Sequence, residues 1–352
     1  MRIEDALAVA LSALRRDGLP GIRNLALAYK NLRAEPATMS SSPVMAQIEP
    51  TLHCNLACLM CANPLSSRQR RHLSLDEFKS IVDGMSFLKK LSLVGAGEPL
   101  MNTALFDMIA YAKSKGILTG FATNGMLLND AMCEKILKSG ADWINISIDS
   151  ADKERFESIR KGARLNTVTA NIHRLVEIKG SRKRPEISVW FVIMKDNMDD
   201  LPGVIRLAAS LGVKKVSAQL EHNWSNEKLR GGMLESHSKD FYASVGRLLK
   251  RSRDAARSEG VKFDYVNVPD PASGRACKWP WKSCYITAEG FVTPCCLQGS
   301  DPEVINFGNL LESDFAGIWN SAGYRHFRDS LKTATPPGIC ADCTAYFGKA
   351  KI

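Results

Sequence analysis

The sequence predicts an α/β fold: an incomplete barrel of six strand-helix units followed by a small cysteine-rich domain. From residue 44 to about 220, short apolar runs alternate with segments of helical period, which implies a parallel sheet with helices outside it. The ten cysteines fall mostly into two groups, three at positions 54, 58 and 61 and six in the last quarter of the chain. With 352 residues, 45% of them hydrophobic, the chain can bury a full core and carry an appendage. The expected division is 1–42, amphipathic helices; 43–220, the barrel; 221–270, a connecting helical segment; and 271–352, the cysteine-rich domain.

Residues 1–42 read as two short helices. Ile3, Leu7, Ala10, Leu11 and Leu14 share one face, and Ile22, Leu25, Tyr29 and Leu32 another, with Gly18, Pro20 and Gly21 breaking the chain between them. Arg15, Arg16, Arg23, Lys30 and Arg33 make the segment basic. It can rest on a membrane surface or a partner; packing across the main domain is the favoured expectation. Glu35 to Pro43 reads as a linker. Val44 to Glu49 alternates apolar and polar as a strand does, and Pro50 ends it. Further strands are expected at Leu91–Val94, Leu118–Thr123, Trp143–Ile148, Ile187–Met194 and Val216–Leu220, with helices such as Asp76–Leu88, Ala104–Lys115 and Ala131–Ser139 between them. A helix is expected over Lys239–Glu259. Glu221, His222 and Trp224 receive no role beyond a place beside the substrate entrance.

The formal charge of +10 comes from 47 Lys and Arg against 37 Asp and Glu. A basic surface attracts acidic peptides, phosphorylated metabolites, anionic membranes or electron-donor proteins, although solubility is its first use. No nucleic acid partner is expected. The chain shows no convincing signal peptide and no apolar run long enough to cross a bilayer. A reducing cytoplasm is therefore expected, where clustered thiols more often hold metal.

Cys54-Asn55-Leu56-Ala57-Cys58-Leu59-Met60-Cys61 places three thiols in C-x3-C-x2-C spacing after the first strand. The carboxyl end of barrel strands is the active face. Three thiolates on a four-iron cluster leave one iron open to an exogenous ligand. A zinc knuckle lacking its fourth ligand, or three buried free thiols, are the alternatives. The later strand ends carry the polar groups a nucleotide site needs. Gly95-Ala96-Gly97-Glu98-Pro99 follows strand two, where glycines admit close backbone approach and Glu98 can accept from an ammonium group. Thr123-Asn124-Gly125 follows strand three. Ser147 and Asp149 close strand four, to bond ribose hydroxyls or to cap the next helix. Arg160, in Ile159-Arg160-Lys161-Gly162, reads from the residues alone as a solvated helix-end arginine.

These motifs resemble those of the radical S-adenosylmethionine (radical SAM) superfamily. The resemblance implies a six-strand partial barrel and a 4Fe-4S cluster on Cys54, Cys58 and Cys61. The open iron of that cluster binds S-adenosylmethionine, which one electron cleaves to a 5′-deoxyadenosyl radical. It also implies that Gly97, Glu98 and Pro99, standing for the family's Gly-Gly-Glu-Pro, hold the methionine ammonium, and that Arg160 meets its carboxylate. Met60 occupies a position often aromatic in the family, near the adenine; Asn124, Ser147 and Asp149 complete the expected cofactor contacts.

Tyr285-Ile286-Thr287 and Phe291-Val292-Thr293 flank Glu289-Gly290 as a hairpin would. With Gly290-x4-Cys295, Asn309-Leu310 and Ile318-Trp319, this region resembles the cluster-binding extension called SPASM or twitch. The resemblance implies one auxiliary 4Fe-4S cluster on Cys277, Cys295, Cys340 and Cys343; a structural zinc on the same four is the alternative. Cys296 can replace Cys295 as a ligand. Cys284 is either a buried small hydrophobe or a catalytic donor of hydrogen to a substrate radical. Cys133 reads as core.

The function expected from this resemblance is oxidation or epimerisation of a small polyol or sugar-like metabolite after hydrogen abstraction from C–H. The electron would come from a ferredoxin- or flavodoxin-type donor. A peptide or protein side-chain maturase is the alternative, placed second because the N-terminal segment is too short for a leader-binding domain. A non-catalytic iron-sulfur or zinc protein is the alternative of another class.

Overall fold

The computed structural model describes residues 3–221, 239–266, 277–341, 343 and 346; His222 and Trp224 lie outside them. The expected alternation is present. β1 (Met45–Ile48), β2 (Lys90–Leu93), β3 (Leu118–Thr123), β4 (Trp143–Ser147), β5 (Glu186–Ile193) and β6 (Lys215–Leu220) pair in parallel, each with the next. The pattern did not reveal a further parallel strand, β7 (Lys262–Val266), which pairs with β6 beyond the helix at Lys239–Ser258. On the other edge β8 (Ser283–Ile286) runs parallel to β1, and β9 (Val292–Thr293) turns back on it as the expected hairpin. The strand order is 7-6-5-4-3-2-1-8-9, so the cysteine-rich region extends the barrel's own sheet.

Register decides what each face carries. Ile144, Ile146, Val189, Phe191 and Ile193 are fully buried beneath the helices; each such side chain contributes about 1.5–3 kcal/mol. The alternate positions Gln47, Ser92, Gly120, Asn145, Ser188 and Ser217 line the inner face. There Ser188 Oγ donates to Asn145 Oδ1 at 2.6 Å, which satisfies polar groups that burial would otherwise penalise. Helix starts follow the sequence signals. Ser74 and Glu77 close a reciprocal cap on α1 (Leu75–Gly84), and Asn129 caps α2 (Asp130–Ser139).

The N-terminal helix, Ile3–Ala34, bends at Gly18, whose φ of 62° lies outside helical space. Arg16 donates to Leu88 O and Lys89 pairs with Asp17. Those two contacts hold the helix against the amino ends of the strands, away from the cysteine loop. The segment read as a linker is stitched down instead. Trp281 Nε1 donates to Pro36 O at 2.9 Å, Trp319 Nε1 to Ser41 O at 2.9 Å and Arg328 Nη1 to Ala37 O at 3.1 Å. Arg328 is buried, with its guanidinium 4.3 Å from the Trp319 ring and 4.0 Å from that of Tyr324. No helix among the described residues is long and apolar enough to cross a membrane.

Candidate active site

The cysteine loop leaves β1 after Glu49 and is pinned along its length by backbone. Ala57 N donates to Lys161 O and Leu59 N to Ile159 O, both at 2.9 Å, and Glu98 N donates to His53 O at 2.8 Å. Leu56 is the loop's buried anchor, and Asn124 at the end of β3 donates to Asn55 Oδ1 at 2.8 Å. Cys54, Cys58 and Cys61 are half-buried thiols outside any disulfide, and the Met60 side chain beside Cys61 is half-buried too. Burial pushes all three thiols up, Cys61 to about 11; the Arg160 charge draws them back, and Cys58 and Cys61 also feel neighbouring thiols. All three sulfurs therefore lie within reach of the Arg160 charge, and Cys54 also feels that of Arg70.

Arg160 sits on the turn that carries the loop, just past α3 (Lys153–Ile159), and is only 7% exposed. Its Nη1 lies 3.9 Å from Cys58 Sγ. Its Nε stands 2.6 Å from Asp149 Oδ2, though neither atom has an aligned hydrogen bond, so charge holds the pair. The solvated helix-end arginine is thus excluded. Asp149 is fully buried and its Oδ1 accepts from Val192 N at 2.8 Å. This corrects the helix-cap expectation for Asp149. It is the counterion of Arg160, and the helix cap is Asp152, which accepts from Arg155 N at 2.9 Å. Ser147 remains half-exposed at the end of β4.

Glu98 is buried. Its Oε1 accepts from Thr123 Oγ1 at 2.8 Å and Leu100 N at 3.1 Å, and its Oε2 from Asn124 N at 2.8 Å. Burial nevertheless holds its carboxyl above the usual range. Pro99 opens a short 3-10 turn behind it. Gly97 is required by close approach, since a Cβ there would collide with the Thr51 carbonyl oxygen and stand 2.7 Å from that of His53.

In the second thiol group, Cys296 feels the charges of Cys343 and Cys277, Cys340 feels the same two, and Cys295 feels Cys296 and Cys343. Five thiols gather there, with Cys296 among them. Gly290 has φ 92°, and Leu310 N donates to its carbonyl at 2.9 Å while Asn309 Nδ2 donates to Glu289 O at 3.1 Å. That is the physical use of the Gly290 and Asn309-Leu310 motif. Cys284 does not join the group. It is paired in register with Ala46, fully enclosed in the apolar core, and burial pushes its thiol to about 12. The hydrogen-donor expectation is corrected: a position on the helix-covered side of the sheet gives a substrate no path to it.

The radical SAM superfamily model matches residues 48–208, and the model of an iron-sulfur cluster-binding domain, SPASM, matches residues 277–344. This chain belongs to the radical SAM superfamily. The tungsten-containing aldehyde ferredoxin oxidoreductase cofactor-modifying protein of Pyrococcus furiosus is 28% identical over 316 residues, covering 84% of this chain and 86% of that protein. The PqqA peptide cyclase of Granulibacter bethesdensis is 28% identical over 314 residues, 86% of this chain and 79% of that one. The crystal structure of Streptococcus suis SuiB bound to precursor peptide SuiA superposes with a TM-score of 0.70 at 15% identity, over 93% of this chain and 75% of that one, which shows a shared fold.

As a radical SAM enzyme the chain uses S-adenosylmethionine and 4Fe-4S clusters, and its residues fit them. The donor sets are grouped thiols, Cys54, Cys58 and Cys61 beside Arg160 and five more in the second group, which is the ligand chemistry that iron-sulfur clusters take. The sequence reading missed Glu49, Arg68, Tyr285 and Glu289. Fully buried Glu49 accepts from Ala96 N at 2.7 Å, Tyr285 OH at 2.9 Å and Arg68 Nη2 at 2.5 Å. The available signal was a charged residue at the inward position of a strand's last step.

Proposed function

We propose that Cys54, Cys58 and Cys61 hold the S-adenosylmethionine-binding cluster, and that Cys277, Cys340 and Cys343 with Cys295 or Cys296 hold the auxiliary one. When bound, the cluster and S-adenosylmethionine supply a 5′-deoxyadenosyl radical that removes hydrogen from an unactivated C–H. Arg160 serves as the fixed cation beside the thiols, aimed by Asp149, where it offsets thiolate charge and meets the methionine carboxylate. Gly97 and Glu98 shape the methionine end, Asn124 ties that region to the cysteine loop, and Ser147 and Met60 face the rest of the nucleoside.

The substrate we propose is a peptide, modified at a side chain. The observation that carries this reading is the match to a PqqA peptide cyclase across 86% of the chain. It favours the peptide alternative over the small-polyol expectation. A ferredoxin- or flavodoxin-type protein supplies the electron in this reading, and ten cysteines outside any disulfide suit a reducing cytoplasm.

Anaerobic reconstitution tests the reading. The wild type should bind about eight irons as two four-iron clusters, and Cys343→Ala about four. Under dithionite it should form 5′-deoxyadenosine, faster with a cognate precursor peptide, whose deuterium should appear in the nucleoside. Deuterium arriving only from polyols, or clusters without any cleavage of S-adenosylmethionine, would reject it.

A further inference from the structure

Glu221 follows β6 directly, at the active end of the sheet. Its N–H donates to Ile193 O at 2.9 Å, continuing the β5–β6 ladder by one residue. The register places its side chain. Ser147 pairs with Trp190 and Trp190 with Ser217, so Ser217, Gln219 and Glu221 alternate onto the inner face that carries Ser147. One strand over, Val192, the partner of Gln219, donates its N–H to Asp149 Oδ1. Glu221 thus stands on the rim of the mouth beside Asp149, four strands from β2, which leads into Glu98.

Two features set this acid apart. It is only 5% exposed, yet its carboxyl has no hydrogen-bond or ion-pair partner among the described residues. Among the described residues, the charges it feels, Asp149 and the exposed Asp196, are both negative, and Arg160 is matched to Asp149. In a chain of net charge +10, this is a local inversion of sign. A largely buried acid beside like charge is costly to keep ionised, and such groups in a cleft concentrate at functional sites.

We propose that Glu221 is a substrate-recognition residue, whose carboxyl receives an ammonium or guanidinium group of the substrate at the β6 side of the mouth. A cation there gains from Glu221 and Asp196 together and relieves the uncompensated acid. This rests on the peptide reading and deepens it: the substrate class becomes a peptide with a basic side chain near the reacting carbon.

The test uses reconstituted holoenzyme with S-adenosylmethionine bound, and n-butylammonium and 1-butanol as probes, followed by saturation-transfer NMR. Butylammonium should bind the wild type at least fivefold more tightly than butanol. Glu221→Gln should abolish that preference, and Glu221→Asp should restore part of it. Retention of the preference in Glu221→Gln, or no preference in the wild type, overturns the inference. So does a fall of tenfold or more in S-adenosylmethionine affinity in Glu221→Gln, which would assign the acid to the cofactor's own ammonium. Because these probes carry no peptide bond, a cation preference that depends on Glu221, with no peptide stimulating turnover, would sink the peptide reading alone.

Discussion

Replacing Arg68 with methionine isolates the strut that joins the two cysteine-bearing regions. The Arg68 side chain is 5% exposed, with Nη2 at 2.5 Å from Glu49 Oε2 and 2.6 Å from Glu289 Oε2, and those acids are 0% and 21% exposed. Its Nε adds a bond of 3.1 Å to Glu289 Oε1. Methionine keeps the packing volume but leaves Glu49 with only Ala96 N, Tyr285 OH and Ala288 N. Breaking a buried pair while leaving one charge behind costs about 3–5 kcal/mol. For a chain of this length unfolding as one unit, that lowers the midpoint by about 4–7 °C. Thermal unfolding of the metal-free chain under reducing conditions measures it. The double variant Arg68→Met, Glu49→Gln should recover about half or more of the loss, because the stranded charge is gone. Burial pushes the Glu289 carboxyl up, but the Arg68 bond and charge bring it below its usual value. Its contribution is therefore complete above the ordinary carboxylate pKa and is lost as pH falls through the folded one, a dependence weakened in Arg68→Met, where only the Thr287 and backbone bonds still lower that pKa. A cost under about 1 kcal/mol, or a double variant no better than the single, would refute the strut.

Three other outcomes follow from the geometry. Gly97→Ala must push its loop off Thr51 and His53, so S-adenosylmethionine affinity by equilibrium dialysis should drop about tenfold or more while the iron content of the cysteine loop is kept. Cys284→Ala should retain both clusters and 5′-deoxyadenosine formation, losing only about 1 kcal/mol of stability; loss of turnover with normal iron would restore it as a catalytic thiol. Burial, then Asp149 and Asp196, raises Glu221 to about 8. A raised acid contributes fully below its unfolded pKa and loses that contribution as pH rises through the folded value. The melting advantage of Glu221→Gln over wild type should therefore widen from about pH 5 to about pH 8 and then level, and a gap that ignores pH would contradict the assignment.

The chain alone determined whatever local spacing controls. Three thiols within eight residues behind a strand, Gly97-Glu98-Pro99 after the next, and strict alternation of period two with period 3.6 are local facts, and they announced the parallel sheet, the cofactors and the family. Tertiary structure decided what depends on facing and distance. One step of register sends Cys284 under the helices and Tyr285 to the inner face. Folding of the chain makes Asp149 the partner of Arg160 instead of a helix cap. Residues from three separated segments close around Glu49, and β7 joins the sheet from beyond the expected barrel. A side chain's role in a sheet is set by which neighbours its register brings to the same face, and those neighbours lie dozens to hundreds of residues away.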